Sequence, residues 1–287
     1  MILRASPRLC LWFLDLQAHM TRPNVPVVMT VAGSDSGGGA GIQADLKAFS
    51  AIGVMGTSAI TCLTAQNPDE VAGIVAVDPG FVDLQIRTIC RGFKVAAAKT
   101  GMLYSRDIIR TVAAALRRNR IGAVVVDPVM VSTSGAKLLR DDAVKALCTS
   151  LLPIATVVTP NLQEAEILWG HSIRSLADLE KSAVEIGGQF GIACVTKGGH
   201  LAIESRARKV VDVLFDGKRV HRYVKLRVPV KETHGTGCTF SAALAAYLAK
   251  GQALPEAVGS ASAYIGRAIR LHVRTGRHTP LGWGGDV

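Results

Sequence analysis

Two glycine-rich turns hold the residues of this chain that could do chemistry. The later turn runs Lys231-Glu232-Thr233-His234-Gly235-Thr236-Gly237-Cys238-Thr239. It opens into the apolar stretch Phe240-Ser241-Ala242-Ala243-Leu244-Ala245-Ala246-Tyr247-Leu248. A helix start leaves N–H groups without intrahelical acceptors, and glycine lets a ligand come close to them, so such a turn is an anion site. A thiol at that place lies in the positive field of the helix, which favours the thiolate. The segment therefore offers oxyanion stabilisation together with a candidate base or nucleophile, Cys238. The competing reading is an ordinary loop before a core helix, with Cys238 a small buried apolar group.

The earlier turn is Ala32-Gly33-Ser34-Asp35-Ser36-Gly37-Gly38-Gly39-Ala40-Gly41, placed between an apolar β-branched run at 26–31 and helical spacing of apolar residues at 42–49. Strand, glycine turn and helix make a phosphate or nucleotide site. The Gly-Lys-Ser/Thr of a P-loop is absent. A dinucleotide pattern fits loosely at residues 39–44, but the next strand, 57–65, ends in Gln66-Asn67 without the acidic residue that binds a ribose. An NAD-dependent dehydrogenase is thereby disfavoured.

The elements that must position these turns alternate regularly. Strands are predicted at 57–65, 94–99, 123–126, 156–158 and 193–196, and helices at 80–93, 106–118, 141–150, 162–168 and 175–187. A hairpin at 210–215 and 220–228 turns around Asp216-Gly217, and two helices close the chain. This is an α/β pattern: a mainly parallel central sheet flanked by helices on both faces, with a small β-hairpin. Gln66, Asp127, Asn161, Glu164 and Lys197 all fall at or just beyond the C-terminal ends of strands, the edge where open α/β sheets bind ligands. Each also has a structural reading. Asn161 and Glu164, for example, have capping-box spacing.

Composition narrows the class. The 287 residues are 49% hydrophobic and 5% aromatic, with a net charge of +11. The basic clusters lack an aromatic platform or a recognised motif, so polyphosphate attraction is expected in place of nucleic-acid binding. No apolar run reaches membrane-helix length. Six widely spaced cysteines without a CxxC pair suit free thiols in a reducing cytosol. Residues 1–19 do not match the rest. They are expected to be a disordered extension, or to precede a natural start at Met20, ahead of one domain over 20–287.

Taken together, the motifs resemble the hydroxymethylpyrimidine/phosphomethylpyrimidine kinases of thiamin biosynthesis, in the ribokinase-like superfamily. The resemblance is carried by residues 32–47, then Thr64-Ala65-Gln66-Asn67, Lys99-Thr100-Gly101-Met102-Leu103, Asp127-Pro128-Val129-Met130, Thr159-Pro160-Asn161-Leu162-Gln163-Glu164-Ala165, Lys197-Gly198-Gly199-His200 and His234-Gly235-Thr236-Gly237-Cys238-Thr239, in that order. It implies a ribokinase-like fold and two successive phosphorylations of a small pyrimidine with ATP and Mg2+. Cys238 would be the catalytic base, and the N–H groups of Gly235, Thr236 and Gly237 the anion hole. Asp127 and Glu164 would serve Mg2+ through water. Lys197, Asn161 and Thr236 would bind the nucleotide. Gln66, Asp45, Gly33, Ala40, Met102 and Val129 would form the pyrimidine pocket. The resemblance also implies a cytoplasmic homodimer and leaves pyridoxal kinase as the alternative.

Overall fold

The computed structural model describes residues 24–130, 138–139, 141–199, 209–229 and 234–284. The extension expected at 1–19 and the start expected at Met20 lie outside them. The strands are β1 (Val27–Asp35), β2 (Met55–Gln66), β3 (Val71–Ala76), β4 (Val95–Thr100), β5 (Ala123–Val126), β6 (Val157–Val158), β7 (Ala193–Lys197), β8 (Lys209–Phe215) and β9 (Val220–Leu226). They form one sheet in the order β3-β2-β1-β4-β5-β6-β7-β8-β9. The six central strands, β2 to β7 across the sheet, are parallel, and β3, β8 and β9 are antiparallel additions at the two edges.

Alternation along the strands builds two cores. Met29, Val31, Ala98, Val124, Val126, Val158 and Cys194 face one side, while Val28, Ala97, Val125, Val157 and Val195 face the other. Successive side chains of a strand point to opposite faces, so strands covered on both sides read as unbroken apolar runs. The first face is covered by α2 (Pro79–Gly92), α3 (Arg106–Arg118), α4 (Asp141–Ala146), α5 (Leu162–Trp169) and α6 (Leu176–Phe190). The second is covered by α1 (Gly41–Ile52), α7 (Thr236–Ala249) and α8 (Leu254–Arg270). Helix α3 shows how local sequence sets an element. Ser105 caps it by accepting Ile108 N–H, and Ile108, Ile109, Val112, Ala113 and Leu116 form its buried stripe. Helix α7 differs: every residue from Thr239 to Ala246 is buried, because it packs between α1 and α8 and against the sheet.

The expected alternation is present, with three differences. Strand β3 was not foreseen, because its apolar residues are largely exposed at the sheet edge and its run is short and carries Gly73. The helix expected over 141–150 ends at Ala146. It continues as a π turn (Leu147–Leu151) and a 3-10 turn (Leu152–Ile154) around Pro153, which has no N–H to continue the ladder. The second hairpin strand stops at Leu226, short of the expected 228. Among the described residues no helix is long and apolar enough to cross a membrane.

Candidate active site

The C-terminal ends of β1, β2, β4, β5, β6 and β7 border one cavity of about 610 Å³. Its wall includes Gly33, Ala40, Gln66, Met102, Asp127, Val129, Asn161, Glu164, Lys197, Gly235, Thr236, Gly237 and Cys238, so thirteen of the fourteen expected site residues share it. Asp45 is the exception. It is fully buried beneath the wall, where it takes two hydrogen bonds from Lys99 Nζ, at 2.9 Å each, and one from Thr30 Oγ1 at 2.6 Å. A place for Asp45 in the pyrimidine pocket is therefore not what this geometry presents; Lys99 stands between it and the cavity.

The two glycine turns are pressed together. Gly235 is the N-cap of α7 with φ of 80°, and a Cβ there would meet Gly39 O at 1.8 Å. Only glycine satisfies both the left-handed backbone and that approach. Asp35, the last residue of β1, gathers the earlier turn. Its carboxylate accepts N–H groups of Gly37, Gly39 and Ala40, and contacts His234 Nε2 at 3.0 Å. Desolvation raises the Asp35 pKa, but the His234 bond and the backbone N–H groups outweigh it and hold the carboxyl below its usual range. Sequence reasoning passed over Asp35 and His234, although both sit inside the quoted motifs; the signal was an acid directly before a run of glycine N–H groups.

At the start of α7, Thr239 N–H makes the first helical bond, to Gly235 O at 2.9 Å, so the first-turn N–H groups lie at the cavity. The backbone N–H of Gly41, at the start of α1, favours negative charge on the Cys238 sulfur. The expected thiolate is corrected here. Burial pushes the thiol up to about 11; Lys99 opposes the rise, and Asp127 and Asp45 add to it.

Asp127 and Lys197 meet beside this turn. Lys197 Nζ donates to Asp127 Oδ1 at 3.2 Å and Ser241 Oγ donates to Asp127 Oδ2 at 3.1 Å. A Cβ on Gly237 would lie 3.3 Å from Lys197 Nζ. Ser241 thus ties α7 to β5, a role its small-residue surroundings concealed. Glu164 has both roles that its sequence position allowed. It completes the capping box of α5, accepting Asn161 N–H at 2.9 Å while Asn161 Oδ1 accepts Glu164 N–H at 3.0 Å, and it borders the cavity. Burial raises its pKa to about 7, against Lys197 and with Asp127. Asp127, Glu164 and Lys197 thus form a compact charged cluster on the cavity wall; among the described residues no group of three or more acids, histidines or cysteines gathers to hold a metal.

At the β1–β2 side the cavity wall includes Gly33, Thr64 and Gln66. Gln66 closes β2; its Oε1 accepts the Thr64 hydroxyl at 3.1 Å, which orients the amide. Gly33 makes the floor: a Cβ there would meet Cys62 Sγ at 2.7 Å, and Met102 Sδ lies 3.4 Å off.

A parallel sheet with two glycine-opened helix starts at its C-terminal edge, an acid pair and a lysine define a small-molecule phosphotransferase of ribokinase-like class. The sequence matches the phosphomethylpyrimidine kinase family over residues 35–281, and the chain belongs to that family. It is 47% identical to the hydroxymethylpyrimidine/phosphomethylpyrimidine kinase of Rhizobium meliloti, over 88% of this chain and 94% of the relative. It is 48% identical to the thiamine biosynthesis bifunctional protein ThiED of Geobacter sulfurreducens, over 88% of this chain but 51% of that longer protein. Among solved structures, the pyridoxal kinase of Bacillus subtilis in an ADP complex superposes with a TM-score of 0.81 at 36% identity, over 90% of this chain and 96% of the other.

Proposed function

We propose that this protein transfers the γ-phosphoryl group of ATP to 4-amino-5-hydroxymethyl-2-methylpyrimidine, and then to the monophosphate so formed. The observation that carries this reading is the seat of Cys238: at an anion-binding helix start, in one cavity with the Gln66 pocket. The thiolate takes the proton of the substrate hydroxyl. The freed oxygen attacks the γ-phosphorus, the bond from phosphorus to the bridging oxygen breaks, and ADP leaves with the electron pair. Such transfer is mostly positioning and charge stabilisation. On this reading the N–H groups at 235–237 would face the transferring oxygens, Lys197 would hold the phosphates, and Asn161 and Thr236 would take the nucleotide; that all of these residues line one cavity supports it. Asp127 and Glu164 would hold Mg2+ through water, and the ion would neutralise phosphate charge.

A homodimer, a cytoplasmic setting and a small-molecule partner without nucleic acid or membrane belong to the same reading. Exposed Leu63 on β2 and Val75 on β3 support a subunit contact at that edge. The proposed kinase domain spans 20–287.

The test is kcat/KM with ATP for the pyrimidine, its monophosphate and pyridoxal, side by side. The pyrimidine and its monophosphate are expected to lead. A clear lead for pyridoxal keeps the kinase and overturns the substrate. Reaction of the pyrimidine without its monophosphate limits the enzyme to the first step.

A further inference from the structure

Lys99 stands near the end of β4 and is wholly buried, as is its partner Asp45 on α1. A buried ion pair is a weak stabiliser, because desolvation of both groups consumes most of the attraction; apolar side chains of the same volume usually serve packing as well. Something besides packing accounts for this one. Two of the Lys99 hydrogen bonds go to Asp45, and Thr30 fixes Asp45 from behind. An ammonium has a third donor. Lys99 borders the same cavity as Cys238, and a Cβ on Gly101 would come within 2.9 Å of its Nζ, so the chain is pared to backbone where the ammonium passes.

Lys99 on β4, Asp127 after β5 and Lys197 on β7 share the cavity wall with Cys238, and Asp45 on α1 lies behind Lys99; all four charges act on the sulfur. Gly41 N–H adds a partial positive charge. Burial alone would drive Lys99 toward the neutral amine, but Asp45, Cys238 and Asp127 outweigh that and hold its pKa above the usual lysine range. Lys99 therefore stays a cation, held by Asp45 on the wall it shares with Cys238, where it favours a negative sulfur.

We propose that Lys99, held in place by Asp45 and Thr30, is the counter-ion of the Cys238 sulfur, and that Asp45 serves the reaction through Lys99 instead of touching the pyrimidine. The proposal rests on Cys238 as the base. When the thiolate takes the hydroxyl proton and the oxygen bonds to the γ-phosphorus as ADP departs, Lys99 exchanges no proton. It supports the negative sulfur before the transfer, and the thiol then returns the proton to water. Lys99 and Asp45 are positioning residues.

The test is alkylation of Cys238 by iodoacetamide in the ligand-free full-length protein, followed by peptide mass spectrometry across pH 7–10. Lys99→Gln moves the alkylation profile to higher pH, with the rate at fixed pH falling about tenfold per unit of displacement. Asp45→Asn keeps an oxygen for Lys99 but removes a negative charge, so it moves the profile to lower pH. A purely structural pair would loosen the site either way and move both variants in the same direction. If Lys99→Gln does not fold, the Lys99→Gln/Asp45→Asn double variant keeps an amide pair, and its profile lies above that of the wild type. Shifts in one common direction, or no shift, overturn the proposal. The readout needs no turnover. Opposed shifts with an active Cys238→Ala enzyme would remove the base and leave the ion pairing; absent shifts with an inactive Cys238→Ala enzyme would do the reverse.

Discussion

At the scale of single residues, the site is governed by competition between burial and charge. Cys238 is held up to about 11 although it sits at a helix start, so near neutral pH only a small fraction is thiolate. The sign follows directly: raising pH toward that value increases the competent form. In the wild type kcat/KM for the pyrimidine is expected to rise by about tenfold per pH unit between 7 and 9. A flat profile would take the thiolate out of the reaction. Cys238→Ala should lower kcat by about 10²–10⁴-fold while ATP still binds by calorimetry, because general-base catalysis is worth that much. Glu164 gives a second sign check. Its folded pKa of about 7 lies above the ordinary 4.5, so ionising it costs stability as pH rises through that interval. Glu164→Gln keeps an acceptor for Asn161 N–H and removes the charge. The Mg2+ concentration for half-maximal rate should rise while the Tm at pH 8 does not fall. A lowered Tm with unchanged Mg2+ dependence would leave Glu164 a helix cap alone.

At the scale of elements, the parts with strong local signals were legible in the sequence. Helix α3 is expected and found at 106–118, and strand β5 at 123–126, because a capping serine, an apolar stripe and a short β-branched run each specify one outcome. The candidate residues at the strand ends were legible for the same reason: the strands could be placed, and their C-terminal edge is shared. What failed was non-local. Edge strand β3 exists because β2 runs long and offers a free edge, which no window of its own sequence announces. Asp45 entered the pocket only through the family resemblance, and only its pairing with the buried Lys99 shows where its carboxylate goes. The thiolate expectation failed because a helix dipole can be read from sequence and desolvation cannot. The joint between the turns is the element most sensitive to change. Gly235→Ala puts a Cβ into Gly39 O and strains a φ of 80°, so it should cost more than the roughly 1 kcal/mol of an ordinary glycine change. The expected result is a lower Tm and a kcat loss larger than the change in ATP binding. A wild-type Tm would mean that the turns part easily.

At the scale of the whole molecule, the joint between the two glycine turns is a seam between the first and last thirds of the chain. Asp35 and His234, which hold its two turns together, stand 199 residues apart in sequence. Trp283 reaches back as well, its indole N–H donating to Thr239 Oγ1 at 3.1 Å and Lys47 Nζ lying 4.3 Å from its ring. Contacts of such separation close late in folding, since the closure entropy comes before any contact can reward it. The central strands and the helices over the first core can assemble from neighbouring segments well before that. On refolding from urea, far-UV dichroism should therefore recover ahead of catalytic activity; simultaneous recovery would show that the seam forms with the sheet. The same order applies to a chain emerging from a ribosome. Until that last helix has been made and has docked, the earlier glycine turn lacks the Cys238 sulfur and the backbone of Gly235 that closes on Gly39. On the proposed reading, a nascent chain has neither its base nor its second anion hole until the last third of the sequence is in place.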